Sequence, residues 1–544
     1  MMDKSNHPFY KWVPRPLGIL VLLLMFVPPT FSGGAYLCNI SEMSGSLGVL
    51  TEDIQLASFF TSIGMCLFPP FMVRFLQARR VMRTYLWCFL LLVVLNSICA
   101  VTTSVPLLLA ACLLTGFVRV IVMLNCTFTI APYLTGMDTL SMFTMREEPP
   151  ADVQYMLERK RTFLMPVLYF FILLISQASN MLTAWFAYEY RWQDAYFVVV
   201  GMLLVAMLLV VCTMPDDENT HIYNIEWQKV PDMLTMAVAL CSMAYILVYG
   251  KTLDWLHSRS ILTALALLLV SGGLFVMLSL RRHKGETYLP LEVFGFRNVW
   301  MSVLLFLLTM IFNSANVFVA TFAKLSTPIN NLQSASLSGW AIAGCLLGLL
   351  LSVLMTVRKV RFRTIFCTAF LLMAAANALL YFQYQTMGLF SNMILPTVLH
   401  YTGLLMLYSL VAAFGMKSLP SRHLATFVFL MIWMRNAIAP MAGSALYANW
   451  LNHRQQHYIT RLSHNVDYNN GLAMSAFMQA KRNGLAGGKD TMEAERLAAT
   501  SLKSRVAVQA TIVAMKDITG KTVMLLLGMA GIVLLLPYHK GETT

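Results

Sequence analysis

Long apolar runs separated by short polar ones fill this chain from one end to the other. A helix needs about 20 apolar residues to cross the hydrocarbon of a bilayer. Fourteen runs fit that measure, at about 17–40, 50–73, 83–103, 105–130, 163–186, 193–214, 233–250, 260–280, 299–321, 335–357, 364–383, 392–416, 424–448 and 522–537. The pattern predicts an all-α integral membrane protein with 14 transmembrane helices. Pro28-Pro29 and Gly33-Gly34 lie in the first run and Pro69-Pro70 near the end of the second, so both helices should bend or break there. The first run follows Lys4, Lys11 and Arg15 as a signal peptide would. No small-x-small cleavage site comes after it, so it is read as the first span.

Composition agrees with that pattern. Hydrophobic residues make up 58% and charged residues 12%, against about 45–50% and about 25% in soluble domains. This excludes a soluble enzyme, a disordered chain and a nucleic-acid-binding domain, although the formal net charge is +14. In such a chain basic residues report on membrane orientation first. With the N-terminus in the cytoplasm, the inner segments carry 23 Lys and Arg and the short outer loops only 4. A long segment, 449–521, carries 10 more, and long loops escape the rule. Fourteen spans with both ends cytoplasmic are therefore expected, in the cytoplasmic (inner) membrane. The ten cysteines lie in or beside apolar runs with no pair closer than eleven residues, so they read as small core hydrophobes.

Four polar stretches stand out: 135–161, an acidic 215–231 with Asp216, Asp217 and Glu218, 281–298, and the outer loop 449–521. The middle of that loop, about 472–515, reads as helical with a break at Gly487-Gly488. His453, His457 and His464 lie in the same loop. No cysteine or carboxylate cluster completes a metal site there, so they read as solvated and no metal is expected.

Several local sequences resemble the major facilitator superfamily, and within it the fourteen-helix drug:proton antiporter branch. They are Arg191-Trp192 before the sixth span, Gly250, Asp254 and Trp255 between the seventh and eighth, and Pro290-Leu291 with Phe294-Gly295-Phe296-Arg297-Asn298 before the ninth. Arg435-Asn436 with Gly443-Ser444-Ala445, and Gln509-Ala510 with Ala514 and Asp517, are similar to later parts of that family. The resemblance implies two six-helix bundles, 1–214 and 298–544, joined by 215–297 with an inserted pair of helices. It also implies alternating access around a midplane cavity. This chain departs from the pattern in three places. Pro28, Pro29 and Ser32 stand where the family carries an acid. Only the basic Arg74, Arg79 and Arg80 remain after the second span. Ser176-Gln177-Ala178-Ser179 replaces a Gly-Pro signature.

A charge in the bilayer centre costs several kcal/mol and marks function by default. Two qualify, Arg119 in the fourth span and Arg435 in the thirteenth. Arg119 matches the arginine that the resemblance links to proton relay. It could equally hold an anionic substrate group or be tied to backbone carbonyls. No Asp or Glu lies inside a span. Glu42 sits at the outer mouth, and Asp53, with Glu52, sits in the first turn of the second helix, where a carboxylate suits the helix N-terminus. His400 is read as the one buried histidine, able to titrate near neutrality. Asn125, Gln177, Asn313 and Asn316 are polar side chains in spans that could line a cavity, as are Asn96, Asn180 and Asn377.

No GxxxxGK[ST] loop, nucleophile elbow or HExxH occurs, so neither ATP, another cofactor nor catalysis is expected. The expected function is secondary transport, with proton-coupled efflux of an amphipathic or lipophilic compound first. The alternatives are a carrier for an anionic solute using Arg119 and Arg435 without proton coupling, and a non-transporting scaffold or sensor. The expected partners are a small-molecule substrate, the proton, the lipid bilayer and a periplasmic adaptor at 449–521, with no nucleic acid. A reporter fused after Thr544 should be active in the cytoplasm; activity on the exterior face would refute the even number of crossings.

Overall fold

The computed structural model describes residues 9–535, apart from 73, 76–79, 136–150, 217–225, 282–287, 327–330, 386–387, 418, 465 and 468. Arg79, Asp217 and Glu218 lie outside the described residues. The described elements are helical throughout. Among the described residues, thirteen helices are long and apolar enough to cross a membrane. The first apolar run instead forms a shorter helix, α1 (Arg15–Phe31), of 17 residues. Two prolines near its end withhold N–H donors, and the chain leaves the helix at Ser32-Gly33-Gly34, where Gly34 takes φ 72°.

After α1 and a short helix (Ile40–Leu47) come α2 (Thr51–Leu67), α3 (Val81–Val101), α4 (Val105–Thr135), α5 (Ala151–Glu189) and α6 (Asp194–Thr213). Next are α7 (Val230–Tyr249) and α8 (Arg259–Arg281), which pair with each other. Then follow α9 in two pieces (Arg297–Ser314 and Val317–Ser326), α10 (Asn331–Val357), α11 (Phe362–Gln383) and α12 (Ile394–Met416). The helix α13 starts as Ser421–Trp433, passes through a π-helical turn Met434–Ile438, and continues as Ala439–Ser463. A helix Gly471–Ala486 precedes α14 (Thr491–Leu535).

Packing repeats with an offset of eight. In the first half α2 packs on α4, α3 on α4 and α6, and α1 on α4 and α5. In the second, α10 packs on α12, α11 on α12 and α14, and α9 on α12 and α13. The halves meet where α5 lies against α10 and α12, and where α2 lies against α13; these too are related by the same offset. The pair α7–α8 stands outside this scheme, with α7 against α2 and α13. Within each half, small residues let two helices touch backbone to backbone. A Cβ on Gly64 of α2 would lie 2.0 Å from the Leu113 carbonyl oxygen of α4, and one on Gly116 of α4 would lie 1.9 Å from that of Thr61. In the other half a Cβ on Gly344 of α10 would lie 2.5 Å from the Val398 carbonyl oxygen of α12.

Segment 449–521, expected as an outer loop, is largely helical. At about 1.5 Å per residue, the 45 residues of α14 span about 67 Å, and a bilayer core takes about 30 Å. Both α13 and α14 run past the apolar core as continuous helices, and Gly471–Ala486 packs on the projecting part of α14. The break at Gly487-Gly488 is present, with Gly488 at φ 77°. Asp517 holds the two long helices together, taking Arg454 of α13 at 3.2 Å and Lys521 at 2.9 Å. At the opposite end Arg83 on α3 grips Asp216 beyond α6, with Nε 2.9 Å from Oδ1. Arg83 holds the Asp216 carboxyl below the usual carboxylate range. A depressed carboxylate contributes above its unfolded pKa and is lost as pH falls through its folded one. That pair therefore gives no pH dependence near neutrality.

The glycine contacts generate a test. Gly116→Val and Gly344→Val should each cut the yield of monodisperse protein and lower its thermal midpoint, because the new side chain meets backbone that cannot move aside. Gly45→Ala, with nothing within 4 Å of its new methyl, should leave both unchanged. Equal behaviour of the three variants would contradict the close packing.

Candidate functional site

Three departures from regular helix are answered by side chains. The first is the end of α1. Carbonyls freed there are taken by side chains: the Tyr36 hydroxyl donates to Phe31 O at 2.8 Å, and Tyr196 donates to Gly34 O. Arg119 of α4 reaches the Ser32 carbonyl with Nη1 at 3.5 Å, a long contact, and its buried Nε has no partner. Asn96 on α3 donates to Ser32 Oγ and to Leu92 O, which fixes the Ser32 side chain.

The second is the π turn of α13. Pro440 lacks the N–H that would bond the Asn436 carbonyl, and its ring would crowd that carbonyl in a regular helix. A π turn relieves the crowding, and such turns gather at functional sites. It carries Arg435, whose Nε donates to Asn436 Oδ1 at 3.0 Å. The Arg435 guanidinium lies 5.9 Å from the ring centre of Tyr169 on α5. Each half thus carries one half-buried arginine within a helix, Arg119 on α4 and Arg435 on α13.

The third is the gap in α9 at Ala315-Asn316, where N–H groups bond three residues back rather than four. Discontinuous membrane helices line binding sites in transporters. Here the Asn316 amide donates to the Tyr401 hydroxyl of α12 at 3.2 Å, and Gln177 of α5 donates to the same hydroxyl at 3.4 Å. Next to it His400 Nε2 pairs with Asn313 Oδ1 at 3.1 Å. Tyr408 bridges the two clusters. Its ring meets Tyr169 edge-on at 5.6 Å, its hydroxyl donates to Met310 Sδ at 3.1 Å, and it is within electrostatic reach of Tyr401.

The structure sorts the residues expected from sequence into two groups. It gathers Gln177, Asn313, Asn316 and His400 around Tyr401, sets Arg435 against Tyr169, and holds Arg119 at the end of α1. Asn125 is buried elsewhere on α4, and Asn377 on α11 bonds its own backbone at Met373 O. Asp53 is held at the end of α2, accepting from Leu50 N–H at 2.9 Å and from the Tyr249 hydroxyl of α7. Glu42 lies on the short helix Ile40–Leu47, near Cys38. His400 is not the one buried histidine, because His423 is also buried and packs 5.5 Å from the Phe296 ring. Its span was read from about 424, which left His423 outside the membrane-embedded set. Four tyrosines, Tyr36, Tyr169, Tyr401 and Tyr408, were not foreseen. Tyr401 and Tyr408 are seven residues apart, on one helix face, which is the signal that could have found them. Pro440, four residues after Asn436, is the signal for the π turn.

No protein-family model matches the chain, and no curated protein matches it in sequence. Solved structures do match in shape. A mutant of the peptide transporter POT in complex with alafosfalin is 13% identical with a TM-score of 0.54, over 98% of this chain and 99% of that one. POT in complex with sulfate is 14% identical at 0.51, over 98% and 99%. The nucleoside transporter NupG is 11% identical at 0.49, over 95% and 99%. The chain is a multi-pass, all-helical membrane protein with the major facilitator fold of these transporters.

Proposed function

We propose that this chain is a secondary carrier for an anionic organic solute, held between Arg119 and Arg435. What carries this reading is a half-buried guanidinium within a span of each half, Arg119 on α4 with its Nε unpartnered and Arg435 on the π turn of α13, with no Asp or Glu in the interior of any span. Two like charges in low dielectric repel and stay poorly solvated. A carboxylate, phosphate or sulfonate between them would answer both charges and the free Arg119 Nε. Arginine suits this role because its planar fork matches such anions. Tyr169, Tyr401 and Tyr408 give an aromatic wall with polar tips, fit for an organic body on the same ligand. The amide–tyrosine cluster would read its acceptors.

Residues 1–214 and 298–544 would be the two moving bodies, rocking about the site to give alternating access. The chain would sit in the cytoplasmic membrane with both ends inside. Proton-coupled efflux of lipophilic compounds has no carboxylate at this site to use, and His400 would be its one titratable member. The projecting helices would dock an adaptor protein; a cavity of about 500 Å3 opens there, lined by Ile459, Met474, Phe477, Leu502 and Val506 among others. Deleting 465–505 should abolish export out of a two-membrane cell while leaving transport in vesicles intact. Unchanged export would remove the adaptor from the account.

A thermal-shift titration of purified protein with organic anions and lipophilic cations tests the substrate class. Anions should raise the midpoint. Arg119→Ala and Arg435→Ala should each weaken that binding about 10- to 100-fold, as expected for charge-assisted hydrogen bonds of about 1.5–3 kcal/mol. Stabilisation by cations alone, unaffected by either substitution, would refute the reading.

A further inference from the structure

The two segments that flank the inserted pair both return to one end of α2. That end is chemically unusual. Pro69 and Pro70 carry no N–H, and Phe71 N–H bonds Phe68 O at 2.9 Å in a tightened turn. The Leu67 carbonyl therefore lacks its helical donor four residues on. Tyr288, just before α9, supplies one: its hydroxyl donates to Leu67 O at 2.8 Å. Tyr288 is 2% exposed.

The Tyr288 ring joins elements of both halves. It lies 6.1 Å from Phe71 at the end of α2, 6.1 Å from Phe275 of α8 and 5.7 Å from Phe429 of α13, each edge-on. Phe429 in turn stacks on Trp433, one residue before the π turn. Beside this contact Cys66 Sγ of α2 lies 3.9 Å from Ile432 O of α13. From the other flank, Lys229 ahead of α7 donates to Pro70 O at 3.5 Å. Its neighbour Glu226 accepts from Arg74 at 2.9 Å and from Lys229 at 3.0 Å.

We propose that the inserted pair α7–α8 is a clasp: through Tyr288 it fastens α2 to α13, while Glu226 and Lys229 anchor the other flank to the end of α2, and it holds this end of the pathway shut. Opening toward that side requires Tyr288 to leave Leu67 and Phe429. The linker then does more than join two bundles, because it sets the balance between the two access states. The proposal rests on the transporter reading, in which α2 and α13 must separate at one end.

Hydrogen–deuterium exchange of the purified full-length protein in nanodiscs, without ligand, tests this. Tyr288→Phe removes only the hydrogen bond and Tyr288→Leu also removes the ring contacts. Glu226→Gln serves as an independent variant at the surface should the Tyr288 variants fold poorly. Loss of one net hydrogen bond should speed exchange about three- to tenfold. The clasp requires faster exchange in both 63–72 and 425–434, segments of opposite halves, with 105–130 unchanged. A rise confined to 288–296 or to 63–72 alone would overturn it, as would no rise in any variant. Failure of the anion titration with the exchange result intact would sink the substrate reading and leave the clasp; the reverse would sink the clasp alone.

Discussion

A guanidinium in hydrocarbon has to be answered by something, and this protein half-buries two of them in spans whose interiors carry no Asp or Glu. That imbalance organises the centre of the molecule. Arg119 spends part of its charge on the carbonyl of Ser32, which the broken end of α1 exposes. Arg435 has an amide and a tyrosine face. Neither arrangement neutralises a unit charge.

The tight packing has a simple origin. Lipid offers no hydrophobic drive for helices to associate, so close approach of backbones has to supply it. Gly64 and Gly116 in one half, and Gly344 and Gly348 in the other, provide that approach at equivalent places. Between the halves the chain packs along α5 with α10 and α2 with α13. The π turn of α13 sits on the seam with α2, while the break in α9 and the end of α1 free backbone groups within their own halves, where side chains answer them.

Hydropathy made most of the architecture legible, because a bilayer demands unbroken apolar runs and those are visible residue by residue. Thirteen of the runs correspond to helices of crossing length, and the first falls short where Pro28 and Pro29 stand. The arginines were legible for the same reason, since charge in an apolar run is conspicuous. The tyrosines were not. Tyr169 and Tyr408 look like ordinary core aromatics until the fold shows that they contact a charge from another helix. Asp53 was legible as a helix-end carboxylate, but its bond to Tyr249 depends on where the inserted pair docks. The outer segment was legible as helical in its middle. That α13 and α14 continue into it without a break was not, because polar helix and polar loop look alike when periodicity is weak.

The account stands or falls on whether an anion occupies the space between the two arginines. Crystals grown with a bromine-bearing aromatic carboxylate would show this through the anomalous signal of the bromine. The account predicts a single strong peak between α4 and α13, with the carboxylate within hydrogen-bond distance of Arg119 and Arg435. Saturating compound with no peak there, in protein that remains folded, would contradict it.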